Sequence, residues 1–355
     1  MLAFDSRAQI SGTVTVNSAS ATVAGINYQT FTALAAALNS VGVNGPLVVN
    51  VVSGSGPYNE QVNFNQITGM SSTNTITING NGCTISYNAT VSTAPHTFMF
   101  SGADYFTVNN LNMVGLGATY ALVCHLWSNS DNNTFNGCTF TAPLGGTSTT
   151  QVPFSLSGSG TSATSVGSCG SNNTVNSSTV SGGYYNTVFY GNSVAPFNIN
   201  NKITNSYMVD YYVYGCYNVY CQGTTVKGNV VERMNRTNTS TCYGIYFSTG
   251  SIANGLIEGN HIRRLYNSIP NSTNATYCIY LIASASSGSE NVVRNNIISD
   301  INTSGAIYGI YFSGASFANA YHNTLSFDDQ TSTAGLVYAL YLTGSSCNAR
   351  NNIVY

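Results

Sequence analysis

Along nearly the whole chain, apolar residues alternate with Thr, Asn and Ser in short runs, and each run closes on Gly, Asn or Ser. Segments rich in Tyr, Ile, Val and Thr with this period predict strands, and the small polar residues between them predict turns. One stretch departs from the pattern. Within NYQTFTALAAALNSVGVNGPLVVNVVSGSGPYNEQVNF (27–64), Phe31, Leu34, Ala35 and Leu38 have helical spacing. This predicts a short amphipathic helix over about residues 29–40, followed by PLVVNVV as a first buried strand. Elsewhere Gly, Asn and Thr recur too often to sustain a long helix.

The strand pattern repeats. A motif of hydrophobic, two residues, Asn, one residue, hydrophobic occurs at Ile78/Asn81/Cys83, Val226/Asn229/Val231, Ile257/Asn260/Ile262, Val293/Asn296/Ile298 and Ala349/Asn352/Val354, and again around Asn323. Leu111, Cys138 and Ser178 take the Asn place in degenerate copies, and INNKI near Asn201 fits less well. Successive copies lie roughly 23 to 40 residues apart, within the range of solenoid repeats. A second motif keeps step with it: YYVY (211–214), YGIY (243–246), YCIY (277–280), YGIY (308–311) and YALY (338–341). A coil of about thirty residues with three short strands, paired in parallel with the next coil, is a β-solenoid. Asn suits its corners, because it tolerates a left-handed backbone and its amide can bond the Asn above and below. Asn229, Asn260, Asn296, Asn323 and Asn352 are thus expected to form a structural ladder.

These motifs resemble the pectin-lyase-like, right-handed parallel β-helix superfamily, whose coils carry asparagine ladders. Residues 27–64 look like the leading segment of secreted β-helix proteins of Bacteroidota, where a short helix caps the first coil. The resemblance covers residues 27–355. It implies an all-β fold, a right-handed parallel β-helix of about ten coils (46–355) with an N-terminal capping helix, preceded by a strand or extension over 1–26. It says little about activity, because the superfamily holds lyases, hydrolases, adhesins and structural fibres alike.

Strict alternation in YGIY puts Tyr243, Ile245 and Phe247 on the core face and Tyr246 outside. Tyr214, Tyr246, Tyr280, Tyr311 and Tyr341 are then expected to climb one outer wall. Such a wall serves either as a self-stacking ladder or as a flat platform for sugar rings or a partner subunit.

Only 6% of residues are charged, and these cluster between 227 and 300. Aligning on the Asn motif places Lys227, Glu258 and Arg294 at one position on successive coils, and sets Glu232/Arg233 beside Arg263/Arg264 and Ser299/Asp300. Alternating signs on adjacent rungs predict an ion-pair ladder. The other reading is an acidic-polysaccharide cleft, with Arg263, Arg264 or Arg294 holding carboxylates and with Glu232, Glu258, His261, Arg263 and Asp300 as catalytic candidates. His261 and His322 lie in polar turns, where a lone His is ordinarily just hydrogen-bonded.

Relatives resembling pectate lyases need several acids on one face to hold calcium, and the seven Asp, at 5, 104, 131, 210, 300, 328 and 329, form no such group in sequence. Those resembling polygalacturonases carry a Gly-His-Gly turn and an Arg-x-Lys segment. Asp328 and Asp329 form an acidic pair, but neither of those segments occurs here. No phosphate loop or zinc spacing is present, so neither cofactor nor metal is expected.

A formal net charge of −2 with nine Lys and Arg gives no footprint for nucleic acid, and no apolar run is long enough to predict membrane insertion. The nine Cys leave at least one unpaired, with Cys216–Cys221 and Cys242–Cys278 as alternatives to free thiols. MLAFDSRAQISG lacks the form of a secretory leader, which suggests a start after a removed signal or at an internal boundary. GTVTVN reads as a strand without a coil of its own, available for strand addition to a neighbour. CNARNNIVY ends an Asn motif with no capping segment, so further coils or another chain are expected at that edge. The sequence therefore predicts a secreted or cell-surface, non-catalytic structural or adhesive protein that self-associates or binds glycans, with a polysaccharide lyase or glycoside hydrolase centred on residues 230–300 as the alternative.

Overall fold

The computed structural model describes residues 8–250, 252–327 and 336–355. Asp5, Asp328 and Asp329 lie outside them. The strands assemble into three parallel sheets of thirteen, eleven and ten strands, called here the first, second and third, which the chain visits in turn on every coil. Pairing is parallel throughout the three sheets, so each strand pairs only with strands of the coil before and the coil after. No described helix is long and apolar enough to cross a membrane.

At the N-terminal end the predicted helix forms over Phe31–Val41 and buries Phe31, Leu34, Ala35 and Leu38 against the first coil. Thr30 caps it by accepting from Ala33 N, and the Glu60 carboxylate accepts from Phe31 N and Thr32 N. Negative charge at the free N–H groups is where the helix dipole favours it. The buried strand follows at Val43–Val51. The strand Ile10–Val16, expected to await a partner, is already paired in parallel on both sides, with Asn27–Tyr28 and with Val43–Val51. Its alternating Ile10, Val14 and Val16 belong to the core, which pulls it into the first sheet.

The interior is a column of aliphatic and aromatic side chains. Phe64, Phe98, Phe100, Phe106, Phe135 and Phe154 form a chain of ring contacts 5.0–5.8 Å between centroids. Such edge-on and tilted packing adds to their burial.

The corner between the first and second sheets holds the asparagine ladder. Asn260 N and Nδ2 both donate to Asn296 Oδ1, at 3.0 and 2.9 Å, while Asn260 Oδ1 accepts from Asn229 N and Nδ2 at 3.0 Å. The same bonds join Asn296 to Asn323 and Asn323 to Asn352. Below Asn229 the file continues through Ser206, Ser178 and Cys138, each backbone N–H donating to the next oxygen. The left-handed backbone does not fall on the ladder residue. It falls on the residue before it: Gly228, Gly259, Asn295, His322 and Asn351 all have φ between 53° and 67°. Turning is thus assigned to one residue and bonding to its neighbour, which lets the amide point inward.

A second ladder stands at the corner between the third and first sheets. Asn133 N donates to Asn173 Oδ1 and Asn173 N to Asn201 Oδ1, both at 3.0 Å. This corner also absorbs most variation in coil length: 157–173 on one coil, but only 220–224 on another two coils on.

Candidate functional site: the tyrosine wall

The third sheet carries the Tyr motifs, and its outer face is their site. In Cys242–Phe247 the burial pattern is not a simple alternation. Gly244 and Ile245 are both buried, and Tyr243 and Tyr246 both look outward. The register agrees: Tyr243 pairs with Tyr277, Ile245 with Ile279 and Tyr246 with Tyr280. A small residue sits at the irregular step on each coil, as Gly215, Gly244, Cys278, Gly309 and Ala339. A Cβ on Gly244 would come within 2.4 Å of the Cys278 carbonyl oxygen.

Two columns result where alternation predicted one. The first runs Tyr185, Tyr214, Tyr243, Tyr277, Tyr308, Tyr338, and the second Tyr217, Tyr246, Tyr280, Tyr311, Tyr341. Two expectations are corrected here. Tyr243 is outside the core, and Tyr214 belongs to the first column, because the true repeat unit on its coil is YGCY (214–217) and not YYVY (211–214). Tyr211, the first residue of YYVY, is buried in the core.

In the first column neighbouring rings are 4.5–5.1 Å apart and within 16° of parallel. Coplanar rings laid flat on the sheet would collide at that distance. The ring normals therefore run along the solenoid, each face is covered by the next ring, and the half-buried rims form the outer edge of the column. Burial and then the neighbouring phenols push the Tyr277 hydroxyl up to about 12 and raise Tyr185, Tyr214 and Tyr243 as well, so the comb stays protonated. The rings thus form a self-stacking ladder, one of the two readings of the wall, and turn ring edges rather than flat faces outward. None of the strands carrying the two columns contains a charged residue.

Toward the N-terminal end the same face is covered. Leu122, Val152 and Val188 look outward from the sheet but are buried with Ala163 of the loop 157–168, and Tyr185 and Tyr217 pack against them. His125 anchors that loop: Nε2 donates to Ser159 O at 2.7 Å, leaving Nδ1 to accept from Ser155 Oγ at 2.7 Å. Burial pulls His125 down to about 4, and burial followed by the His125 charge does the same to His96.

The charged cluster lies on the other two sheets. Lys227, Glu258 and Arg294 stand in register on three coils, and Glu258 is bonded to both cations, at 2.9 and 2.8 Å. Those bonds, that from Lys227 first, lower its carboxyl. Glu232 is held by Arg263 at 2.9 Å, Asp300 lies 3.9 Å from Arg264, and His261 Nε2 shares a 2.9 Å hydrogen bond with Ser299 Oγ. Every carboxylate proposed for catalysis therefore has a cation beside it. Arg233 leaves the expected ladder altogether and is buried between the Tyr211 and Tyr266 rings.

Two acids that lie scattered in the sequence, Asp104 and Asp131, do meet. Asp131 N donates to Asp104 Oδ1 and Ser171 N to Asp131 Oδ1, both at 2.6 Å, on consecutive coils. Burial first, and Asp131 beside it, raise Asp104 to about 6. The recurring Asn-Asn pairs at 132–133, 172–173 and 200–201 mark this corner on three coils, but Asp104 is followed by Tyr105–Phe106, so that signal does not set it beside Asp131. All nine cysteines are free thiols, and Cys216–Cys221 and Cys242–Cys278 are not bridged. Among the described residues no three His, Cys, Asp or Glu side chains converge as a metal-binding set.

The backbone path has counterparts among solved structures. It is similar to the GH136 lacto-N-biosidase from Eubacterium ramulus, with TM-score 0.57, 12% identity, and 98% of this chain covering 68% of that one. It is also similar to PfbA, a surface adhesin of Streptococcus pneumoniae, with TM-score 0.54, 13% identity, and 91% of this chain covering 87% of that one. The chain is a right-handed parallel β-helix. Pectate lyase Pel9A aligns more loosely, with TM-score 0.47 and 14% identity over 84% of this chain and 79% of that one. No protein-family model and no curated protein matches the sequence. At these identities the likeness is one of fold, and the β-helix is shared by enzymes and an adhesin, so function has to be argued from the surface.

Proposed function

We propose that this chain is a non-catalytic, exported or cell-surface binding module whose tyrosine wall takes up a neutral polysaccharide. The observation that carries the reading is the stacked first column beside a second, more tilted column of phenols, on strands without a charge. A row of hydroxyls about 4.8 Å apart, repeated at the strand spacing, suits an extended chain of sugar hydroxyls lying along the solenoid. Absence of charge on the face favours a neutral glycan over an acidic one, for which fixed cations would be expected. Ion pairing of Glu232, Glu258 and Asp300 leaves no free acid–base couple on the charged coils, which weighs against glycoside or lyase chemistry there.

The test is calorimetry against a panel of neutral and acidic polysaccharides, with reducing and unsaturated sugar release followed in the same samples. Binding of a neutral glycan that is insensitive to salt, lost in Tyr246→Ala/Tyr280→Ala/Tyr311→Ala, is expected. Release of sugar products, or binding confined to acidic glycans and abolished by salt, would overturn the proposal. So would wall-dependent association of the protein with itself in place of any glycan.

A further inference from the structure

The segment joining Val230–Glu232 to Cys242–Phe247 carries two arginines, Arg233 and Arg236, which are 1% and 3% exposed. Neither forms an ion pair among the described residues. Arg236 is well supplied with acceptors. Its Nη1 donates to Gly183 O and Asp210 O, its Nη2 to Gly146 O, and its guanidinium lies 4.8 Å over the Tyr212 ring. The Asp210 carboxylate near it is taken by Asn235 N and Nδ2.

Arg233 is different. Its Nη2 donates to Asn238 O at 3.2 Å, but Nε and Nη1 are buried without any acceptor. Rings stand beside the guanidinium, Tyr266 at 4.9 Å and Tyr211 at 5.7 Å. The Tyr266 hydroxyl donates to Ser240 O at 2.6 Å and stands against both Arg233 and Thr276. One more donor without an acceptor lies close by. Thr276 Oγ1 is buried and unbonded, and Thr276 is the strand partner of Cys242, whose thiol contacts both the Tyr211 hydroxyl and Arg233.

A guanidinium does not lose its proton in a protein, so neutralisation by deprotonation is closed to Arg233. A buried charge ordinarily has a partner of opposite sign, and a water molecule could satisfy the N–H groups without cancelling the charge. We propose that a small monovalent anion of halide size, chloride in ordinary media, is bound at Arg233 Nε and Nη1 with the Thr276 hydroxyl as a further donor. None of Arg233 Nε, Arg233 Nη1 and Thr276 Oγ1 makes a well-formed hydrogen bond, as an open anion site requires, and burial at 1% for Arg233 and 0% for Thr276 shields the charge from bulk water. The anion would lock the segment 233–241, which reaches across the coils through Arg236 and Asn238 to Gly146 and Gly145. That segment flanks the wall, because Tyr212 beneath Arg236 touches Tyr184, and Tyr184 touches Tyr185 and Tyr214.

The experiment compares melting of halide-free protein in sodium gluconate, chloride and bromide at equal ionic strength, and locates bromide by anomalous scattering in crystals. A saturable, halide-specific rise in Tm is expected, with an anomalous peak against Arg233 and Thr276. Arg233→Met should lose the rise, and Thr276→Val, a milder change that keeps the strand, should shift its midpoint to higher halide by tenfold or more. Equal melting in all three salts overturns the proposal, as does a peak without a Tm effect, which would mean binding at crystal concentration only. A halide response that survives in Thr276→Val with an unchanged midpoint also counts against it.

Discussion

Tyr277 and Tyr308 lie face to face across adjacent coils, their ring centroids 4.5 Å apart and their planes 6° from parallel. This pair shows how the wall separates two roles. The ring faces stabilise the sheet, and the hydroxyl rims remain for recognition. Tyr277→Ala removes stacking with both Tyr243 and Tyr308 and should lower stability by about 1–3 kcal/mol. Tyr277→Phe keeps the rings and should change stability little. Phenylalanine at Tyr246, Tyr280 and Tyr311 together should likewise preserve folding while weakening glycan binding at least tenfold. Denaturant melts and calorimetry on the same variants check both halves.

The asparagine ladder predicts a gradient along the solenoid. Asn260→Leu strands the amide groups of Asn229 and leaves the Val226 carbonyl and Asn296 Oδ1 each one donor short in a buried setting, and should cost on the order of 4 kcal/mol. Asn352→Leu, on the last rung, removes bonds to Asn323 and Ala320 only, where burial is partial, and should cost roughly half as much. Equal losses by chemical denaturation would show that the ladder does not act through its neighbours.

Acid should act on the protein in two opposing ways. His96 and His125 are held at about 4, below the ordinary 6.5, so the stability they confer is complete above pH 6.5 and lost as pH falls toward 4. Asp104 is raised from 3.8 to about 6, so its contribution is complete below 3.8 and lost as pH rises through 6. Asp104→Asn keeps an oxygen for the Asp131 N–H and removes the repulsion between the two acids. It should therefore raise Tm at pH 7 and leave it unchanged near pH 3.5, while the fall in stability from pH 6.5 to 4 becomes steeper than in the parent. Thermal melts across that range, followed by circular dichroism, decide the point.

Much of this architecture could be read from the chain. The helix at Phe31–Val41, the parallel coils and the file from Asn229 to Asn352 follow from periodicity, because a solenoid places equal positions of the repeat above one another. The ion pairs Lys227–Glu258–Arg294 were legible for the same reason. Where reading failed, the cause was local. Two consecutive inward residues at Gly244 and Ile245 break the two-residue period, so simple alternation puts Tyr243 on the wrong face and Tyr214 in the wrong column. Arg233 follows Glu232 and looks like a surface charge, yet the chain turns it inward between two rings. Asp104 and Asp131 are 27 positions apart in sequence and meet only because their corners are stacked.

The rungs of the asparagine file are separated by 31, 36, 27 and 29 residues, yet their amides remain bonded in line. Alignment is thus enforced at one corner while length is free to change at the others. A chain built this way can accept a graft of several residues at the exposed bend 193–196 without losing its place, so such bends are natural points for displaying foreign peptides and for evolving new specificity one coil at a time.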